Sequence, residues 1–258
     1  MTVAASVIMV TGAGSGIGAA VAREFARHGW RVLVNYAGNR AGAEATVEAC
    51  RQAGGDAFAC QGDVAADADC RRLAETALAR WQRIDALVNN AGVTKFVPAP
   101  DLEGLAAEDF QRIFAVNVIG AFQMARAVAP AMRTAGAGAI VNLSSFAGLR
   151  GFGSSLAYAA SKGALNTLTL GLARVLAPDI RVNAVCPSFA ETEWLAKGVG
   201  TEKSESFKDK VAAAAPLRRI ATPEDVAETV HWLVAGARHM TGELVTLAGG
   251  LQLTTGLD

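Results

Sequence analysis

The sequence has 258 residues, 52% hydrophobic and 19% charged, enough to bury a full core and too apolar for a disordered chain. Basic and acidic residues both number 24, so the formal net charge is zero. That balance argues against a nucleic-acid surface, which needs a clustered basic face, and sets little charge repulsion against self-association.

Val7-Ile8-Met9-Val10 has no basic segment before it and runs straight into a Gly-rich turn. It reads as a first strand and not as a signal peptide. No apolar run approaches the roughly 20 residues of a membrane span, so a cytoplasmic protein with no membrane partner is expected. Further Val-, Ile- and Leu-rich runs stand at 31–35, 56–60, 84–89, 139–144, 180–186 and 243–248, the first covering 6–11. They lack strict alternation, as strands buried on both faces of a parallel sheet do. Helical patterns fill 17–28, 40–53, 67–82, 107–134, 155–176 and 223–235. Thr222-Pro223 supplies a cap followed by a first-turn proline; Gly29, Gly54-Gly55 and Gly236 stand where helices should end. Strands and helices alternating in one rhythm predict an α/β fold, a doubly wound parallel sheet of about seven strands with helices on both faces. The segment 188–221 breaks the rhythm after the sixth strand, at the sheet edge that faces ligands, and reads as a substrate lid or as a plain pair of surface helices.

The turn Thr11-Gly12-Ala13-Gly14-Ser15-Gly16-Ile17-Gly18 lies between the first strand and the first helix. Glycines let backbone approach a pyrophosphate, and a helix N-terminus offers it unpaired N–H groups and a positive dipole end. Dinucleotide binding is therefore expected. Tyr158 and Lys162, four apart in a helical pattern, share a face and can act together. A phenol of ordinary pKa about 10 is a poor base at neutral pH, and a nearby ammonium would lower it. The four cysteines, Cys50, Cys60, Cys70 and Cys186, form no C-x-x-C pair and have no histidine near them at metal spacing. Thiols in a reducing compartment, and no metal site, are expected.

The spacing T-G-x-x-x-G-x-G resembles the glycine motif of the short-chain dehydrogenase/reductase family. The resemblance continues through Asn89-Asn90-Ala91-Gly92, Asn117, Ser144-Ser145, Tyr158-Ala159-Ala160-Ser161-Lys162, Ile180-Arg181-Val182-Asn183 and Thr241-Gly242. It implies one Rossmann domain over residues 1–258 and an NAD(P)(H)-dependent oxidoreductase that interconverts a ketone and a secondary alcohol. By that resemblance Tyr158 is the general acid/base. Ser145, thirteen residues before it, holds the substrate oxygen, with Ser144 as a turn residue. Lys162 also bonds the nicotinamide ribose, and Asn117 is either a satisfied core residue, the holder of a proton-relaying water, or both. The cofactor set is Gly12, Ser15, Gly16, Ile17, Gly18, Tyr36, Asn39, Arg40, Asp63, Val64, Asn90, Ala91, Gly92, Tyr158, Lys162, Pro187 and Thr192. Asp63 could equally be the cap of the next helix. Pro187-Ser188 departs from the family's Pro-Gly and adds a Cβ where the nicotinamide packs.

Members that prefer NAD usually carry an aspartate at the end of the second strand. Here that position is Tyr36, followed by Asn39 and Arg40, and guanidinium suits a 2′-phosphate; NADP(H) is expected over NAD(H). Phe96, Phe152, Phe189 and Trp194, with Val93 and Leu195, form a mostly apolar candidate pocket wall for a small-molecule ketone or alcohol, one or two of the aromatics being expected in the ordinary core. The resemblance is close to the 3-oxoacyl-carrier-protein reductase branch, whose acidic partner would need rim cations such as Arg133, Arg218 and Arg219. A cofactor-sensing protein without catalysis is the alternative of a different class, although all four catalytic-type residues are kept. The resemblance also implies a homotetramer built on the helices at 107–134 and 155–176.

Overall fold

Val, Ile and Leu favour extended backbone when both faces of the strand are covered, and the apolar runs form one parallel sheet. The computed structural model describes residues 5–192, 194, 198 and 200–254. Its strands are β1 (Val7–Val10), β2 (Arg31–Tyr36), β3 (Ala57–Gln61), β4 (Ala86–Asn89), β5 (Gly138–Leu143), β6 (Ile180–Pro187) and β7 (Leu244–Leu247). They lie in the order β3-β2-β1-β4-β5-β6-β7. Val10 is flanked by Val34 of β2 on one side and Val88 of β4 on the other. The chain order reverses beside β1, so the C-terminal ends of β1 and β4 open a crevice at the switch point, where such sheets bind ligands.

The helices are α1 (Gly16–Arg27), α2 (Arg40–Gln52), α3 (Asp67–Trp81), α4 (Ala107–Phe114), α5 (Ala121–Ala135), α6 (Ala147–Arg150), α7 (Leu156–Leu176), α8 (Thr201–Ala214) and α9 (Pro223–His231). One face of the sheet buries Val21 and Phe25 of α1 with Val226 and Val230 of α9. The other buries Leu73 of α3, Met124 and Met132 of α5 and Leu172 of α7. Thr222 caps α9 in a reciprocal capping box with Asp225, ahead of Pro223, as its sequence signature predicts. Gly29 and Gly54 take left-handed backbone. Gly236 instead closes a π-helical turn, Trp232–Gly236, that prolongs α9.

The helix predicted at 107–134 is real but interrupted. A π-helical turn, Ala115–Gly120, joins α4 to α5. By length and composition Ala107–Ala135 would span a membrane, contrary to the sequence expectation, but half of its most apolar stretch is buried inside the protein. It is a core helix packed against α3 and α7. Of the described residues of 188–221, Ala190 bridges Ala221, the Glu191 N–H donates to the Ala221 carbonyl at 2.9 Å, and the Leu217 N–H donates to the Gly249 carbonyl at 3.0 Å. Within this segment lies α8. Leu195 lies outside the described residues.

Candidate active site

The glycine turn is shaped by what touches it. Gly12 has φ 61°, and a Cβ there would lie 2.9 Å from Cα of Ala91. A Cβ on Gly18 would lie 2.4 Å from Nδ2 of Asn90, so only glycine fits. Asn90 spends its amide on this brace, donating to the carbonyls of Thr11 at 2.9 Å and Gly12 at 3.0 Å. The hydroxyl of Thr11 accepts from the N–H groups of Asn90 and Ala91, both at 3.0 Å. Ser15, the residue before α1, makes no side-chain bond to the helix, and no acidic residue stands in its first turn. The N–H groups of that turn therefore face the cavity with their positive dipole end uncompensated.

Asn35, absent from the sequence-derived set, ties three elements together. Its Oδ1 accepts from Gly12 N–H at 3.2 Å, and its Nδ2 donates to the Gly62 carbonyl at 3.0 Å. Tyr36 next to it is buried in the core. Asn39 caps α2 by accepting from Gly42 N–H at 3.1 Å and clasps the glycine turn by donating to the Gly14 carbonyl at 3.0 Å. The Arg40 guanidinium is exposed and paired with Glu44 at 2.7 Å. Tyr36, Asn39 and Arg40 thus stand off the cavity wall, which Asn35, Ala37, Gly62, Asp63 and Val64 line at this end. Asp63 is not a helix cap: Ala66 holds that position, and Asp63 accepts from Ala65 N–H within its own turn at 3.0 Å.

At the other end of the crevice α7 carries the reactive pair. Ser155 caps α7 by accepting from Tyr158 N–H at 3.2 Å, fixing Tyr158 in the first turn. Lys162, one turn on, is buried and donates to the Leu143 carbonyl at the end of β5 at 2.7 Å. Its Nζ lies 5.6 Å from the centroid of the Tyr158 ring. Burial pushes the Tyr158 phenol up to about 12, and the hydrogen bond with Ser145 pulls the other way. Burial pulls Lys162 down to about 8. Ser145 opposes the desolvation directly, and the Lys162 ammonium, 5.6 Å from the ring centroid, stands where its charge would favour the phenolate.

Asn117 sits in the π-helical turn, and its amide makes a two-way clasp with Val93. Its Oδ1 accepts from Val93 N–H at 2.8 Å, and its Nδ2 donates to the Val93 carbonyl at 3.0 Å and to Ser161 Oγ at 3.0 Å. Ser161 in turn donates to the Tyr158 carbonyl at 2.7 Å. Gly92 lies over this junction: a Cβ there would be 3.4 Å from Asn117 Oδ1 and 3.8 Å from Lys162 Nζ. Ser144 is not a simple turn residue. Its single hydroxyl proton is shared between Asn166 Oδ1 and the Lys162 carbonyl, tying the end of β5 to α7, and both Ser144 and Ser145 border the cavity.

Glycine turn and reactive pair open onto one cavity of about 2000 Å³. Phe96, Phe152, Phe189 and Trp194 all line it, so none is merely core, although Phe189 also packs on Phe207 at 4.6 Å. Phe146, unforeseen, meets Phe152 edge-on at 5.7 Å. Trp194 stands 6.5 Å from the Tyr158 ring. Thr192 lies over the glycine turn, its Cγ2 3.4 Å from where a Cβ on Gly16 would be. Ser188 causes no strain: its backbone φ is negative, and its N–H donates to the Leu247 carbonyl at 3.0 Å.

Residues 12–252 match the family model described as enoyl-(acyl carrier protein) reductase. A solved structure from Burkholderia xenovorans described as a short-chain dehydrogenase/reductase is 40% identical, with a TM-score of 0.90, covering 98% of this chain and 100% of that one. The chain belongs to the short-chain dehydrogenase/reductase family. A relative named as ketoacyl reductase 2 of the granaticin polyketide synthase, from Streptomyces violaceoruber, is 42% identical over 252 residues, 96% of this chain and 97% of its own length. A 7α-hydroxysteroid dehydrogenase solved with NADH and 7-oxo glycochenodeoxycholic acid is 33% identical, with a TM-score of 0.85, covering 95% of this chain and 93% of that one. As a short-chain dehydrogenase/reductase the protein is an oxidoreductase that binds a nicotinamide dinucleotide. The residues present fit that group, because the glycine cradle, the open α1 N-terminus and Gly92 leave backbone where a Cβ would intrude.

Proposed function

We propose that the enzyme interconverts an apolar ketone and its secondary alcohol, with Tyr158 moving the proton. The observation that carries this reading is the cavity that Gly92, Tyr158, the buried Lys162 and the glycine turn line together, with Asn117 bonded behind it to Ser161 and Ser161 to the Tyr158 carbonyl. The bound nicotinamide supplies or accepts the hydride at the substrate carbon. Ser145 holds the substrate oxygen, and Tyr158 gives that oxygen its proton during reduction. Burial holds the Tyr158 phenol protonated at neutral pH, so the proton is on hand for reduction, and the charge of Lys162 has to favour the phenolate for the reverse direction. Lys162 bonds the nicotinamide ribose and, while charged, stabilises the phenolate left behind. Asn117 acts as a positioning residue, with the proton-relaying water as its second task. A bound nicotinamide dinucleotide would be held by Gly12, Ser15, Gly16, Ile17 and Gly18 at its pyrophosphate, by Asp63 and Val64 at its adenine, by Ala91 and Gly92 at its ribose and by Pro187 and Thr192 at its carboxamide. Phe189, Trp194 and Phe207, from the described part of 188–221, would wall the substrate. The free cysteines suit a cytoplasmic setting.

NADP(H) is the favoured cofactor because no carboxylate stands at Tyr36 to repel a 2′-phosphate. Arg40 reaches that phosphate only by leaving Glu44. The pair is exposed, and such pairs are weak, so the exchange costs little. Arg40→Ala should raise KM for NADPH about tenfold more than for NADH, and Glu44→Gln should lower KM for NADPH; equal effects of Arg40→Ala on both cofactors would refute the assignment. The substrate class is read from the aromatic wall. NADPH oxidation followed across a panel of steroid, aromatic and aliphatic ketones tests it, and the absence of turnover across the panel alongside tight NADPH binding would favour a sensor.

A carrier-linked 3-oxoacyl substrate is the second reading, favoured by the ketoacyl reductase relative. The basic residues first considered for a carrier surface are engaged: Arg219 pairs with Asp225, Arg218 donates to the Ala213 carbonyl, and Arg133 donates to the Val175 carbonyl. Arg112 and Arg150 line the cavity instead. A carrier-linked substrate should then show a KM at least tenfold below that of the free thioester, and equal values would count against this reading.

A further inference from the structure

Away from the cavity, α1 and α9 bring together three metal-ligating side chains from two distant parts of the sequence. Glu24 and His28 are four apart on α1, so they share a face; His231 is the last residue of α9. Their ligand atoms all lie within 4.8 Å of one another. His28 Nε2 and Glu24 Oε1 are 3.1 Å apart. The imidazoles of His28 and His231 are stacked, with centroids 3.9 Å apart and planes 14° from parallel. Phe25, in the core, meets the His231 ring with centroids 5.1 Å apart and planes 66° from parallel.

Of the other groups facing the cluster, the Arg27 guanidinium works against a cation and the C-terminal end of α1 works for one. Arg27 takes the second carboxylate oxygen, Oε2 of Glu24, at 3.1 Å, which leaves Oε1 to the histidines. His28 is the C-cap of α1, where the helix presents the negative end of its dipole. Two imidazole nitrogens and one carboxylate oxygen form a donor set that suits zinc, nickel, cobalt or copper and not magnesium or calcium. Three protein ligands with a fourth position left to water is a common zinc arrangement, with metal–ligand distances of about 2.0–2.2 Å. Convergence to such distances needs the His28 ring, which is about half exposed, to swing off the stack; Glu24 and His231 already flank the position.

We propose that Glu24, His28 and His231 bind one divalent transition-metal ion, which cross-links α1 to α9. The link would run beside the Arg23–Glu224 ion pair that joins the same helices at 2.9 Å. It is independent of the catalytic reading, since none of the three ligands lines the cavity.

The test is titration of metal-stripped full-length protein with Co2+ and Zn2+, Mg2+ serving as control. The expected result is one ion per chain with micromolar affinity. The Co2+ spectrum should show visible ligand-field bands without a thiolate charge-transfer band, which separates this cluster from the cysteines. Zinc at about a hundredfold excess over Kd should raise Tm by roughly 5 °C, with no rise from magnesium. His231→Gln and Glu24→Gln should each weaken binding at least tenfold. Glu24→Gln keeps the side-chain shape, and the metal-free Tm of each variant reports its folding. Binding unchanged in a folded variant, a thiolate band, or no saturable binding would each overturn the proposal.

Discussion

Burial moves Tyr158 and Lys162 in opposite directions, because it penalises the charged form of each: the phenolate of one and the ammonium of the other. Ketone reduction needs the phenol protonated and Lys162 charged. With Tyr158 up to about 12 and Lys162 down to about 8, the rate of reduction is expected to stay level through neutral pH and to fall as pH rises through about 8. A pH profile of kcat/KM checks this. Stability follows by linkage. Between about 8 and the ordinary lysine value of 10.5, the unfolded chain binds the Lys162 proton and the folded chain does not. Stability contributed by this group therefore rises with pH across that window, and Lys162→Met should remove the rise in denaturant melts recorded at each pH. The pair was legible in the sequence because a spacing of four fixes a shared helical face. Asn35 and Ser161 were not, since their task is to bond backbone and a neighbouring amide brought near only by folding. Arg40 was legible as a charge but not as one held by Glu44.

Elements were readable where periodicity and end signals agree. The seven apolar runs became the seven strands, with ends moved by a residue or two. The Thr222-Pro223 start was correct because the cap is local chemistry: the Thr222 hydroxyl accepts from Asp225 N–H at 3.2 Å. Arg219 and Thr222 hold the Asp225 carboxylate well below its ordinary value. Thr222→Ala is expected to cost about 1 kcal/mol in urea unfolding. Hydrophobic pattern could not reveal the π-helical turn at Ala115–Gly120, because a single-turn bulge inside a stretch apolar on most sides leaves no polar face whose shift would mark it. Its position is set by tertiary contact: a Cβ on Gly120 would lie 2.7 Å from Val64 Cγ2, and Asn117 must reach Val93. At the glycine turn, Gly18→Ala should displace Asn90 and weaken dinucleotide binding at least tenfold, read by quenching of intrinsic fluorescence on cofactor titration.

The whole molecule places the cavity at the switch point between β1 and β4, as the strand order requires. The alternating pattern made this much readable. The substrate wall was less readable, since its aromatics come from the loop after β4 (Phe96), the stretch around α6 (Phe146, Phe152), the segment after β6 (Phe189, Trp194) and α8 (Phe207), whose mutual packing no local pattern encodes. The Glu24–His28–His231 cluster was hidden for the same reason, with its third member on another helix. Phe110, Ile119 and Phe122, together with Leu170 and Val175 of α7, are exposed. The resemblance leads one to expect a homotetramer on these helices; if they do form it, Ile119→Glu shifts the molar mass by light scattering toward dimer or monomer, and an unchanged mass counts against it. The central claim is that Tyr158 moves the proton, and the most direct test is single-turnover ketone reduction by Tyr158→Phe with NADPH binding measured on the same sample. The account predicts a loss of about 10²–10⁴-fold in rate with NADPH affinity within a few-fold of the unsubstituted enzyme. Reduction within tenfold of the unsubstituted rate would contradict it.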